Sequence, residues 1–178
     1  GAGREGGCGR RLHLVAHSMG GWALAHAVQA MAEMAAARGR AVPRLFDHAF
    51  LMAADVEAGA LEPGGGLHPL LGLARRIHVY HAENDRALAL SDVKPGHGAR
   101  LGHLGPARMA ALPDRVEAVD CTAVSWTPAD GPLRHQYYRL APEVIRDVRA
   151  LLAGAASDAI PGRASRADGR RHRLAHDP

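Results

Sequence analysis

Ser18 is the residue of this sequence with the clearest potential for chemistry, because small residues surround it. Residues 12–21 read LHLVAHSMGG, with Ala16 two positions before the serine and Gly20 two positions after it. A small-x-Ser-x-Gly motif between a strand and a helix is typical of a nucleophile elbow, a tight turn that exposes the serine oxygen. N–H groups at the start of the helix suit a developing oxyanion. We therefore predict a nucleophilic serine at position 18; a serine that only caps the helix is the alternative.

A nucleophilic serine needs a base that takes its proton and an acid that orients the base. In a parallel sheet these groups belong at the carboxyl ends of the strands, where the loops meet at one rim. In hydrolases with this elbow the order along the chain is serine, acid, histidine. The histidines predicted on or near loops are those at positions 81, 97, 103 and 135. His135 is the predicted base, because it alone follows the fourth predicted strand and precedes the final helix.

Three aspartates are candidates for the acid. Asp85 is favoured, because Asn84-Asp85 follows the third predicted strand in a polar turn that would present a carboxylate. Asp55, at the end of the second predicted strand, is the alternative acid, since some hydrolases place the acid one strand earlier. Asp120, on the fourth predicted strand, is the least favoured of the three.

Alternating strands and helices must position these residues. Hydrophobic patterns predict strands at residues 11–17, in the centre of 45–56, at 76–81 and at 115–122. Helices are predicted at residues 20–38, around 67–74, at 87–93 and at about 142–152. This alternation predicts an α/β fold with a mainly parallel sheet flanked by helices.

Residues 11–154 form the predicted domain, and the segments on either side have no hydrophobic pattern. Residues 1–10 are rich in glycine and predict a flexible leader. Residues 155–178 contain few core-forming side chains and predict a disordered basic tail. Residues 163–178 contribute +3 of the net charge of +4, so the rest of the chain is close to neutral and nucleic-acid binding is not expected.

Composition and motifs exclude several further classes. No apolar run approaches the roughly 20 residues that a transmembrane helix needs. No metal-ligand spacing or phosphate-binding loop is present, so neither a metal nor a cofactor is expected. No signal peptide is visible, which favours the cytoplasm, although the chain begins with Gly1 rather than Met and the true start is expected to lie elsewhere. The oligomeric state stays open.

Six segments in a fixed order resemble a known family. They are AHSMG, LMAADV, HVYHAENDRAL, RLGHLGP, VEAVDCT and HQYY followed by a helix, and they span about residues 12–154. This set is similar to the bacterial α/β-hydrolases of domain of unknown function 900. The resemblance implies a hydrolase fold with Ser18 as nucleophile, Asp85 as acid and His135 as base. It also implies that the backbone N–H of Met19 forms one half of the oxyanion hole.

The chain departs from such folds at its beginning. They carry several strands before the elbow strand, including the loop that donates the second oxyanion N–H, whereas only about eleven residues precede that strand here. We therefore expect the C-terminal part of an α/β-hydrolase fold, as a fragment or a truncated product. The elbow strand would then expose a hydrophobic edge, and half of the oxyanion hole would be missing.

Two functions are consistent with these residues. The first is a serine hydrolase that cleaves a small-molecule carboxylic ester through a Ser-Asp-His triad and an acyl-enzyme. The alternative is a catalytically inactive remnant of the hydrolase fold, or an interaction module. A metal-dependent hydrolase is less favoured than either, because no His-Glu-x-x-His or comparable ligand spacing occurs.

Overall fold

The computed structural model describes residues 11–94, 96 and 98–176, and a six-stranded sheet forms its centre. The strands are β1 (His13–His17), β2 (Phe46–Met52), β3 (Ala74–His81), β4 (Val116–Ala123), β5 (Arg163–Ser165) and β6 (Arg171–Ala175). Their order across the sheet is β1-β2-β3-β4-β6-β5. All neighbouring pairs are parallel except β5 and β6, which are antiparallel. The predicted α/β fold with a mainly parallel sheet is confirmed.

Six α-helices accompany the sheet in the described part of the chain. They are α1 (Gly20–Ala37), α2 (Leu70–Leu73), α3 (Arg86–Asp92), α4 (Leu101–Leu104), α5 (Tyr137–Leu140) and α6 (Pro142–Leu152). The predicted helix around residues 67–74 is reduced to the single turn α2, because β3 already begins at Ala74. None of the helices in the described ranges is both long enough and apolar enough to cross a membrane.

The core lies on both faces of the sheet, because successive residues of a strand point to opposite sides. One face packs β2–β4 residues such as Leu51, Val79 and Ala118 against α1, α2 and α4. The other face packs neighbouring residues, among them Phe50 and Tyr80, against α3, α5 and α6. Both faces of the central strands are therefore buried, as a parallel sheet requires.

The C-terminal segment differs from the predicted disordered tail. β6 lies beside β4, and its Leu174 is only 1% exposed. The side chain of Arg163 is fully buried, donates two hydrogen bonds to the Asp147 carboxylate on α6, and lies 3.3 Å from Glu117 Oε2 on β4. Composition suggested solvated charge here, but specific buried carboxylates pair with this arginine. The predicted leader, residues 1–10, lies outside the described residues.

The elbow strand β1 forms one edge of the described sheet. It pairs with β2, and Val15 in its middle is 58% exposed. Trp22 on the following helix is 60% exposed. The region that carries Ser18 is therefore covered much less completely than the central strands β3 and β4.

Candidate active site

Ser18 lies in a strained turn between β1 and α1. Its φ angle is +52°, in the left-handed region that non-glycine residues rarely adopt. Its N–H donates to Met52 O on β2, at 3.1 Å, and its carbonyl accepts from Gly21 N and Asp55 N. These contacts tie both sides of the serine's backbone to neighbouring segments, so that the strained conformation is held in place.

The small residues around the serine have different roles from those that the motif suggested. A Cβ at Gly20 would meet open space, whereas one at Gly21 would lie 3.1 Å from Ala54 Cβ. Ala16 is buried beneath α1. The close approach of the helix to the end of β2 therefore depends on Gly21 more than on Gly20.

The N–H of Met19, the expected oxyanion donor, forms no hydrogen bond with any residue that the structure describes. Met19 directly precedes the 18-residue helix α1 and is itself well exposed. An N–H group at the beginning of a helix adds the positive end of the helix dipole to its own. Met19 can therefore donate to an anion beside Ser18.

Asp85 is completely buried at the point where the chain leaves β3 for α3. Its Oδ1 accepts from Leu88 N and so caps α3. Its Oδ2 lies 2.7 Å from Nδ1 of His135. Because a carboxylate oxygen can only accept, this bond assigns the proton to Nδ1 and leaves Nε2 of His135 able to take a proton.

His135 lies on the loop between β4 and α5, and hydrogen bonds fix this loop on several sides. The Leu133 carbonyl accepts from Arg86 N at 2.9 Å, and Gln136 N donates to Oδ1 of the buried Asp130. Arg134 has a φ of +53°, a second left-handed residue beside a predicted site residue. The predicted base is therefore presented by a strained loop that hydrogen bonds hold in place.

His17 connects this loop to the elbow. Its Nε2 lies 3.1 Å from the His135 carbonyl oxygen, and its ring stacks on Tyr138 with a centroid distance of 4.1 Å. The rings of His17 and His135 are 4.7 Å apart. Burial lowers the pKa of His17 below its usual value. The structure thus holds the loop of His135 against the residue before Ser18, while the Ser18 hydroxyl itself forms no hydrogen bond with a described residue.

Sequence reasoning missed His17, which is not among the loop histidines predicted as candidates for the base. The signal that could have found it is the alternation of β1. Because Ala16 faces α1, the side chain of His17 must point to the other face of the sheet, where the loop before α5 also lies.

The other two candidate acids have different partners. Oδ1 of Asp55 accepts from Ser91 Oγ and from Arg100 Nε. Burial alone would raise the pKa of Asp55, but these hydrogen bonds outweigh it and hold the pKa below its usual value. Asp120 is hydrogen-bonded to Thr122 N and paired with Arg173. The structure therefore places Asp85 beside His135, whereas Asp55 and Asp120 have other partners.

Of the remaining loop histidines, His103 does not join this cluster. Both ring nitrogens of His103 are engaged, by Asp92 Oδ2 and by the Glu83 carbonyl. His97 lies outside the described residues. Within the described ranges, no group of three or more His, Cys, Asp or Glu side chains is arranged to hold a metal ion.

Comparisons with known proteins agree with the fold. A family model described as alpha/beta hydrolase of unknown function, domain of unknown function 900, matches residues 5–154. No significant match is found among the curated proteins or among the solved structures. The matched family supports a hydrolase and is the one that the sequence segments resemble. Because the match covers most of the chain, the protein belongs to this family of α/β hydrolases of unknown function.

Proposed function

We propose that the protein is a serine hydrolase that cleaves carboxylic esters through an acyl-enzyme. Ser18 is the nucleophile, His135 the general base and Asp85 the residue that orients the base. The observation that carries the proposal is the 2.7 Å contact between buried Asp85 Oδ2 and His135 Nδ1, on a loop packed against the residue before Ser18.

The reaction begins when the Ser18 oxygen attacks the ester carbonyl carbon and His135 Nε2 takes the hydroxyl proton. The carbonyl oxygen becomes an oxyanion, which accepts a hydrogen bond from Met19 N–H. When the tetrahedral intermediate collapses, the bond to the alcohol oxygen breaks and the His135 imidazolium protonates the departing alcohol. Water then attacks the acyl-enzyme with the same base, which releases the acid and restores Ser18.

Asp85 contributes orientation and charge rather than a proton. Its carboxylate fixes the imidazole with Nδ1–H toward the aspartate and stabilises the imidazolium that forms during each half of the reaction. Because Asp85 is fully buried, little water screens this interaction.

A fluorophosphonate probe tests the proposal, since an activated serine attacks its phosphorus and displaces fluoride. We expect the protein to be labelled, Ser18→Ala to abolish the labelling, and Ser165→Ala, an exposed serine on β5, to leave it unchanged. Labelling that persists in Ser18→Ala would exclude Ser18 as the nucleophile.

The alternative is a catalytically inactive hydrolase-fold protein or interaction module. The observation in its favour is that the Ser18 hydroxyl has no hydrogen bond with His135. A catalytic contact of this kind often tightens only when substrate binds, so we rank this alternative second. It predicts no labelling of the unmodified protein and no Ser18-dependent hydrolysis of p-nitrophenyl esters.

A further inference from the structure

We infer that His17 is a positioning residue that fixes the base to the backbone of the nucleophile. This inference rests on the proposed function. His17 takes no part in proton transfer; it holds the main chain of His135 through its Nε2–H and packs beneath the loop through its ring.

The hydrogen bond defines the chemical form of His17. A carbonyl oxygen can only accept, so the 3.1 Å contact with His135 O requires that Nε2 of His17 carry a proton. Burial lowers the pKa of His17, which favours the neutral ring. The protein therefore holds His17 as a neutral donor rather than as a second base.

Two contacts from different strands fix His135 at two points. Asp85, which follows β3, holds the imidazole at Nδ1, and His17, which ends β1, holds the carbonyl oxygen. The hydrogen bonds at Leu133 and Gln136 hold the neighbouring residues of the loop, and the contact with His17 adds an anchor on the main chain of His135 itself. Displacements of about 1 Å at a reacting group can cost about a hundredfold in rate.

The position of His17 in the chain couples this anchor to the nucleophile. His17 is bonded directly to Ser18, so a small shift of β1 moves the nucleophile and the anchor of the base together. The stacking of His17 on Tyr138, the second residue of α5, extends the same contact beyond the loop. The distance between nucleophile and base is therefore set locally, even though 117 positions of sequence separate them.

The charges around His17 favour its neutral form during the reaction. His135 and Arg139 both oppose a positive charge on His17, and Asp85 partly offsets them. If His17 were protonated, its charge would lie beside the His135 imidazolium that the first step forms, and would disfavour it. A neutral donor avoids this repulsion.

Two substitutions separate the effect of the N–H donor of His17 from the effect of its ring packing on Tyr138. His17→Phe keeps an aromatic ring against Tyr138 and removes the donor, whereas His17→Gln keeps an N–H donor at similar reach and removes the ring. We expect His17→Phe to lower the rate of fluorophosphonate labelling roughly 10- to 100-fold and His17→Gln to stay within about threefold of the unmodified protein. His26→Phe, on the exposed side of α1, is the matched control and should change nothing.

A spectroscopic readout tests the inference without turnover. In protein labelled with ¹⁵N-histidine, the Nδ1–H proton of His135 gives a downfield signal through its bond to Asp85, and we expect His17→Phe to shift or broaden it while His17→Gln preserves it. Thermal unfolding followed by circular dichroism checks that each variant folds. If His17→Phe does not fold, His17→Asn, which is one methylene shorter than Gln, replaces it with the same expectation.

The outcomes distinguish this inference from the proposed function. Unchanged labelling and an unchanged His135 signal in His17→Phe would overturn the positioning role, even if Ser18→Ala abolishes labelling. Labelling that survives in Ser18→Ala would overturn the proposed function, and the His135 signal would still show whether His17 positions that loop.

Discussion

The two halves of the candidate site are built in contrasting ways. Ser18 lies on an edge strand whose Val15 is 58% exposed, ahead of a helix whose Trp22 is 60% exposed. Asp85 is fully buried, and His135 is held by a loop with hydrogen bonds on several sides. The proposed acid and base are therefore closely packed, whereas the proposed nucleophile is held through one strained turn beside β2.

This contrast fits the roles proposed for these residues. The acid must be shielded from water because its carboxylate stabilises a charge, whereas the nucleophile must stay open to substrate. A contact that connects the two halves, such as that of His17 with His135, then helps to fix the distance between them. The following predictions test the contrast by disturbing the buried half.

The largest effect is expected from Asp85→Asn. An asparagine can still accept from Leu88 N and cap α3, but its NH₂ group would face Nδ1 of His135 and favour the wrong tautomer. We expect labelling by the fluorophosphonate to fall by roughly 10⁴-fold, with little change in thermal stability. Asp55→Asn should keep the labelling, because Asp55 bonds Ser91 and Arg100 instead; the reverse pattern would make Asp55 the acid.

A large loss of stability is expected from Arg163→Met. The change leaves the Asp147 carboxylate, which is 1% exposed, buried without its charged partner. Breaking such a pair typically costs about 3–5 kcal/mol, measured as the free energy of unfolding in urea. The control is Arg171→Ala, whose ion pair with Asp168 is half exposed and should contribute less than about 1 kcal/mol. Equal effects of the two changes would show that the buried pair stabilises the protein no more than the exposed pair does.

A smaller effect is expected from Glu117→Gln on the pH dependence of stability. Burial alone would raise the pKa of Glu117, but contacts with His78, Ser157 and Arg163 outweigh it and lower the pKa to about 2. A carboxylate with a depressed folded-state pKa contributes stability that is present above its unfolded-state value and lost as the pH falls toward 2.

Unfolding free energies measured from pH 5 downward should therefore fall less steeply in Glu117→Gln than in the unmodified protein, by at most a few kcal/mol in total. Burial lowers the pKa of His78, and His78 adds to the acid sensitivity of both proteins below its usual pKa. Glu143→Gln is a useful comparison, since Glu143 on α6 is also buried and accepts a hydrogen bond from Ser125. Parallel curves for Glu117→Gln and the unmodified protein would contradict the prediction.

Much of the fold was predictable because its signals are local. Apolar runs predicted β1–β4, and the residues around Ser18 predicted the elbow. The order of serine, acid and histidine along the chain predicts His135, and the polar turn after the third strand favours Asp85; the two side chains lie 2.7 Å apart. Such patterns depend on residues that are close in sequence, so they can be recognised from the sequence alone.

The parts that sequence reasoning missed depend on distant partners. Arg163 is compatible with a strand only because Asp147 and Glu117 surround its guanidinium, and composition alone suggested a solvated tail. His17 gains its role from the His135 carbonyl, 118 positions away. The roles of such residues depend on tertiary contacts, so hydrophobic periodicity and motif spacing do not predict these roles.

The carboxylate of Asp85 accepts one hydrogen bond from the first turn of α3 and another from the imidazole of His135. The start of a helix and the orientation of a base are therefore thermodynamically linked through a single side chain. Linkage is reciprocal: a ligand that strengthens the contact between Asp85 and His135 would also stabilise the first turn of α3, and fraying of that turn would loosen the hold on His135. Slowed hydrogen exchange at the Leu88 amide would be the signature of such a ligand.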